Sequence, residues 1–108
     1  MNDSVQSNNF TIEIDAELQP ITPEFLEKRR SDCTLILQYL DQNAFGELRT
    51  LGHRMKGAGG SYGFDEISEI GETIENASLA ADSATIIACA ERLADYLDRV
   101  NVVYVQSL

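Results

Sequence analysis

Leu48-Arg49-Thr50-Leu51-Gly52-His53-Arg54-Met55-Lys56-Gly57-Ala58-Gly59-Gly60-Ser61-Tyr62 is the stretch on which the fold of this 108-residue chain turns. At about 100° per residue, Leu48, Leu51, Met55, Ala58 and Tyr62 fall within an arc of about 80°. The segment, about Ala44 to Tyr62, therefore reads as an amphipathic helix with one apolar stripe to bury. Three similar patterns flank it. The first opens at Thr22-Pro23, a hydroxyl cap followed by proline in the first turn, and runs to about Leu40 with Phe25, Cys33, Ile36, Leu37 and Leu40 on one face. A third starts near Asp65 with the stripe Ile67, Ile70, Ile74 and Ala77. The fourth opens at Asp82 or Ser83 and continues to about Val105, with Ile86, Ala90, Leu93, Leu97, Val100 and Tyr104 aligned. Four such helices bury their stripes only against one another. The expectation is an all-α, antiparallel up-down four-helix bundle over residues 22–108, with enough apolar side chains to need no metal or disulfide.

Residues 1–21 read as a flexible arm and lead-in. The first nine are polar and are expected to fray. Phe10-Thr11-Ile12-Glu13-Ile14 alternates like a strand, but no second strand candidate is evident, so an extended or partly helical lead-in on the body is expected. Arg29 lies on the apolar face of the first helix, which implies a stem packed along the core and a carboxylate partner. Tyr62 and Tyr104 lie on stripes and read as packing residues.

Charge narrows the partners. Eighteen acids against eight bases give a net −10, which disfavours nucleic acid and anionic membrane surfaces. No apolar run approaches the roughly 20 residues that span a bilayer, and the first residues lack the pattern of a signal peptide. Cys33 and Cys89 are far apart and read as small apolar residues of a reducing, cytoplasmic setting. The acidic outer faces make a monomer the default. Yet between Glu47 and Asp65 there is no acid, while Arg49, Arg54 and Lys56 all lie there. A small basic island in an acidic protein suits a single anion.

His53, the one histidine, points about 180° from its helix's stripe and so faces solvent, with Gly46, Arg49, Lys56, Gly57 and Gly60 within about 60° of it. Glycine inside a helix costs about 0.5–1 kcal/mol relative to alanine. Six of the seven glycines, Gly46, Gly52, Gly57, Gly59, Gly60 and Gly63, lie in this one segment. Those around His53 strip away side chains and let another macromolecule approach the imidazole. An exposed imidazole is largely neutral at pH 7, so one ring nitrogen keeps a lone pair able to attack phosphorus. Lys56, one turn on, is placed to neutralise phosphoryl oxygens, and Arg49, one turn back, adds field or contacts a partner. Arg54 points away and reads as solvated. No carboxylate is placed beside His53 to bind magnesium, so metal for an in-line transfer is expected from the partner.

The run His53-Arg54-Met55-Lys56-Gly57-Ala58-Gly59-Gly60-Ser61-Tyr62-Gly63, followed by Ile67 and Ile74-Glu75, resembles the signature of histidine-containing phosphotransfer (HPt) domains. The likeness extends over residues 22–105 through the number and length of the helices, with Met55 where leucine is common. It implies a carrier in a multistep phosphorelay, loaded by a receiver-domain aspartate and discharged to another receiver. It also implies His53 as the phosphorylated residue, Lys56 as phosphate-stabilising and Gly57 as clearance, with response-regulator receivers or a hybrid histidine kinase as partners. The chain needs no cofactor of its own.

Other readings fit less well. The glycine run is not a phosphate-cradling loop: it lacks Gly-Lys-Ser/Thr, and Tyr62 replaces the last glycine of GxGxxG. Glu66, Glu69, Glu72 and Glu75 read as one solvated acidic face rather than a metal site. No acid directly follows His53, unlike the histidine box of kinases. A bundle that only sequesters a receiver without phosphorylation is the alternative, and the intact His, Lys and Gly argue against it.

Overall fold

The first helix begins where a proline permits it. In the computed structural model, which describes residues 9–106, α1 spans Thr22–Asp41 with Pro23 in its first turn, where a missing N–H costs nothing. Thr22 does not cap it. Its buried hydroxyl donates to the Leu18 carbonyl at 2.7 Å and ties the helix to the 3-10 turn Ala16–Leu18 before it. Helix α2 (Phe45–Tyr62) ends at Gly63, whose φ of 88° is left-handed and suits glycine. Helix α3 covers Asp65–Leu79 and α4 covers Ser83–Arg99. Asp82, not Ser83, caps α4: its carboxylate accepts from the Thr85 N–H at 3.2 Å.

Each helix packs on the next in the chain, and α1 closes the ring against α4. Phe25 of α1 stacks on Tyr62 of α2 at 4.1 Å between ring centroids, Arg92 of α4 donates to Glu66 and Glu69 of α3, and Arg30 of α1 donates to Asp98 of α4. Ile36, Leu48, Met55, Phe64, Ile67, Ile70, Ile74, Ile86 and Leu93 fill the centre. On α1 the expected stripe is only partly correct. Phe25 and Ile36 are buried, but Leu37 is 51% exposed, and Asp32 turns inward instead. There Asp32 accepts from Arg29 at 2.7 Å, and the same guanidinium lies 4.9 Å from the Phe25 ring centroid. Burial pushes the Asp32 carboxyl above its usual range, with the Arg29 charge opposing.

The fourth helix is shorter than its stripe suggested. It stops at Arg99, and Val100–Val105 forms β2, paired in parallel with β1, Phe10–Asp15. The register sets Phe10 on Val100, Ile12 on Val102 and Ile14 on Tyr104. Val100 and Tyr104 satisfy helical spacing, but four of these six residues are valine, whose branched Cβ favours a strand. The alternation at Phe10–Ile14 is thus a paired strand, correcting the expectation of an unpartnered lead-in. Residues 1–8, the bulk of the expected frayed arm, lie outside the described residues. Phe10 packs on Tyr96 at 5.2 Å between centroids and Ile14 is buried, so the sheet is seated on the bundle.

One seam is tighter than the rest. A Cβ on Gly71 of α3 would lie 2.5 Å from the Lys56 nitrogen and 2.7 Å from the Gly52 carbonyl oxygen; one on Gly59 would lie 2.6 Å from the Ser68 nitrogen. Backbone therefore touches backbone along α2 and α3. Glycine alone permits this approach.

Candidate functional site

The seam positions the histidine. With α2 and α3 in backbone contact at Gly52 and Gly71, the residue after Gly52 and the residue four after Gly71 are brought together across the gap. They are His53 and Glu75. The His53 side chain is 73% exposed and its Nδ1 lies 3.1 Å from Glu75 Oε2, while Glu75 is only 20% exposed. An ionised carboxylate accepts and does not donate, so the proton between them belongs to Nδ1. The Nε2 lone pair is then free, on an exposed ring. Glu75 is the functional residue that sequence reasoning misplaced, by counting it in a solvated acidic row. The Ile74-Glu75 pair in the HPt signature was the signal that pointed to it.

The acidic row is divided among partners, with Glu69 and Glu72 still exposed as expected. Glu66 and Glu69 pair with Arg92, Glu72 Oε2 lies 3.7 Å from Lys56 Nζ, and Glu75 holds His53. Lys56, one turn beyond His53, is half-exposed and is kept on this side by Glu72. Ser68 Oγ donates to the Lys56 carbonyl at 2.8 Å and pins the backbone below it.

A hollow of about 380 Å³ opens at His53, lined by Gly46, Arg49, Thr50 and Glu75 as well. The structure thus brings together His53, Arg49 and Gly46, three of the residues singled out from sequence, and adds Thr50 and Glu75. Lys56, Gly57 and Gly60 lie on the C-terminal side of His53. A Cβ added to Gly46 or Gly57 would meet nothing within 4 Å, and one on Gly60 would meet only Ser68 Oγ at 4.0 Å, so these three do leave the outer face bare. Gly52 and Gly59 serve the seam instead.

The donor set suits a nucleophile more than a metal. Beside His53 stands one carboxylate, already engaged by the ring. No three His, Cys, Asp or Glu residues cluster among the described residues in a way that would hold an ion. No helix among them is long and apolar enough to cross a membrane.

The site is therefore an exposed, carboxylate-oriented imidazole on a four-helix bundle, with a lysine one turn away and a bare glycine face around it. The chain belongs to the Hpt domain family, whose model matches residues 21–102. Hpt domains carry out histidine phosphotransfer in phosphorelay signalling as phosphocarriers rather than enzymes, and they work with receiver domains and kinases. No curated protein and no solved structure matches the chain.

Proposed function

We propose that this chain is a phosphocarrier whose acceptor is His53, loaded from a receiver-domain aspartyl phosphate and discharged to a second receiver. The Glu75 contact to Nδ1 carries the reading, because it leaves Nε2 as the nucleophile. The Nε2 lone pair forms the N–P bond as the acyl-phosphate O–P bond breaks, and the electron pair leaves with the aspartate carboxylate. Positive charge grows on the ring during this step, and the carboxylate 3.1 Å away offsets it. Lys56 and Arg49 lie one turn to either side and face the three phosphoryl oxygens. Gly57 and Gly60 give the receiver room to bring its aspartate in line. Magnesium is assigned to the receiver, since the residues here do not form a site for it.

The test is transfer from receiver domains loaded with acetyl phosphate, with His53→Gln alongside. Wild type is expected to take up an acid-labile, base-stable phosphate located on His53 by mass spectrometry. His53→Gln is expected to take up none while melting within a few degrees of wild type, because the side chain is exposed. Receivers that bind both proteins tightly with no phosphate moved would favour a sequestering module instead.

A further inference from the structure

The sheet of β1 and β2 has two strands and two open edges. Each strand pairs only with the other. Outside that ladder the one backbone hydrogen bond that reaches either strand among the described residues is the Val100 N–H closing α4 on Tyr96. An edge strand leaves a row of N–H and C=O groups pointing away from its partner. Parallel strands, moreover, are normally covered on both faces. Here one face is covered: Ile12, Ile14 and Val102 pack against the core, while Glu13, Asn101 and Val103 stand exposed on the other.

The two edges differ in chemistry. β1 carries Glu13 and Asp15, and carboxylates on an edge repel another strand of so acidic a protein. β2 reads Val-Asn-Val-Val-Tyr-Val and has no charged residue and no proline. Its register against β1 runs unbroken over all six residues, so no bulge twists the edge away. Five of the six are β-branched or aromatic, and Val103 is 41% exposed. Charge, proline and bulges are the means by which edges are kept from pairing. β2 has none of them. The first eight residues hold a single β-branched side chain, Val5, and suit a third strand poorly.

A row of N–H and C=O groups is complementary to a copy of itself when the two strands run antiparallel about a two-fold axis, and that arrangement closes. Pairing β2 with β1 of another copy would not close, and would bring Glu13 and Asp15 into the contact. We infer that the β2 edge is a self-association surface, on which two copies pair β2 on β2 to form one four-stranded sheet in the order β1-β2-β2-β1. Acidic outer faces keep copies apart elsewhere; this edge carries no charge of its own. Each chain still brings a net −10, so pairing works against repulsion and tightens as salt rises. His53 takes no part in it.

The experiment is sedimentation equilibrium of the whole chain over a range of concentrations, at low and high salt, for wild type, Val103→Glu and Thr11→Glu. Wild type is expected to pass from its 12.0 kDa to twice that mass as concentration rises, with a lower dissociation constant at high salt. Val103→Glu sets like charges across the pair and is expected to raise that constant about ten-fold or more. Thr11→Glu adds the same charge to the same outer face on β1, at the far side of the sheet, and is expected to change it less than three-fold. A monomer at every concentration up to about 1 mM would overturn the self-association surface. So would a dimer untouched by Val103→Glu, or one weakened equally by Thr11→Glu. A monomer whose binding to a receiver is lost in Val103→Glu assigns the edge to the receiver and overturns the second copy. Circular dichroism checks the fold. Should Val103→Glu unfold, hydrogen exchange of wild type decides: β2 amides gaining protection with concentration while β1 amides stay constant is the expected result, and protection independent of concentration refutes it.

Discussion

A methyl group separates the two kinds of glycine in this protein. In Gly71→Ala the new carbon would meet the Lys56 nitrogen at 2.5 Å, the Gly52 oxygen at 2.7 Å and the Met55 carbonyl carbon at 3.0 Å, all backbone atoms with no rotamer to yield. Ordinary contact begins at 3.4 Å, so α2 and α3 must part by about 1 Å. Overpacking of this kind costs about 1–3 kcal/mol, and backbone against backbone belongs at the upper end. Alanine's better helix propensity returns about 1 kcal/mol. The expected net is a loss of about 2 kcal/mol, or roughly 10 °C in Tm for a domain of this size. In Gly57→Ala nothing lies within 4 Å of the new carbon, so only propensity acts, and a gain of about 0.5–1 kcal/mol is expected. Urea denaturation of both variants, followed by circular dichroism, gives the two numbers. Backbone contact at the seam is refuted if Gly71→Ala is as stable as wild type, or if the two substitutions shift the midpoint in the same direction.

The same parting of helices bears on Glu75, whose nitrogen would lie 2.7 Å from a Cβ on Gly52. Glu75→Gln keeps the shape but removes the charge that offsets the growing imidazolium. A partly exposed hydrogen bond to a charged group is worth about 1–1.5 kcal/mol, so the rate of transfer to His53 is expected to fall about five- to ten-fold. Rapid-quench measurement of the maximal rate checks this, and an unchanged rate would make Glu75 a bystander. Tyr96 offers a test of the core: its hydroxyl is buried without a partner among the described residues, and burial, aided by the Glu66 and Asp65 charges, pushes it up to about 12. A folded-state value raised above the unfolded one, about 10, means stability that is whole below pH 10 and drains as pH rises toward 12. Tyr96→Phe is expected to gain about 1 kcal/mol at pH 7 by removing the orphaned hydroxyl, and to flatten that alkaline decline. Thermal melts at neutral and alkaline pH show both; a less stable variant at pH 7 would mean that the hydroxyl has a partner.

What could be read from sequence here was local. The stripes of α2, α3 and α4 depend on neighbours within two turns, and the outward direction of His53 follows from its own helix alone. What could not be read was which faces meet. The β1 and β2 strands lie at opposite ends of the described chain, and each taken singly has a competing local pattern: an unpartnered alternation for Phe10–Ile14, a helical stripe for Val100 and Tyr104. Only the pairing of the two decides between strand and helix, and pairing is a long-range fact.

Glu75 failed to stand out for the same reason. Spaced at three residues from Glu72, Glu69 and Glu66, it belongs to a row that any exposed helix can carry. Its difference comes from how far α3 is rotated toward α2, and that rotation is set by Gly71 lying on Gly52. Six glycines in and around α2 looked like a single device for clearing the space around an imidazole. Five of them divide between two devices, and the sixth, Gly63, ends the helix at a left-handed φ. Gly46, Gly57 and Gly60 clear the outer face, while Gly52, answered by Gly71, and Gly59, set against Ser68, draw a second helix in close enough to put a carboxylate on the ring. The helix-propensity cost of the second set is therefore offset inside the fold, by backbone packing, before any partner arrives. The contact between His53 and Glu75 is a product of that close packing, which is why a methyl on Gly71 is expected to disturb it.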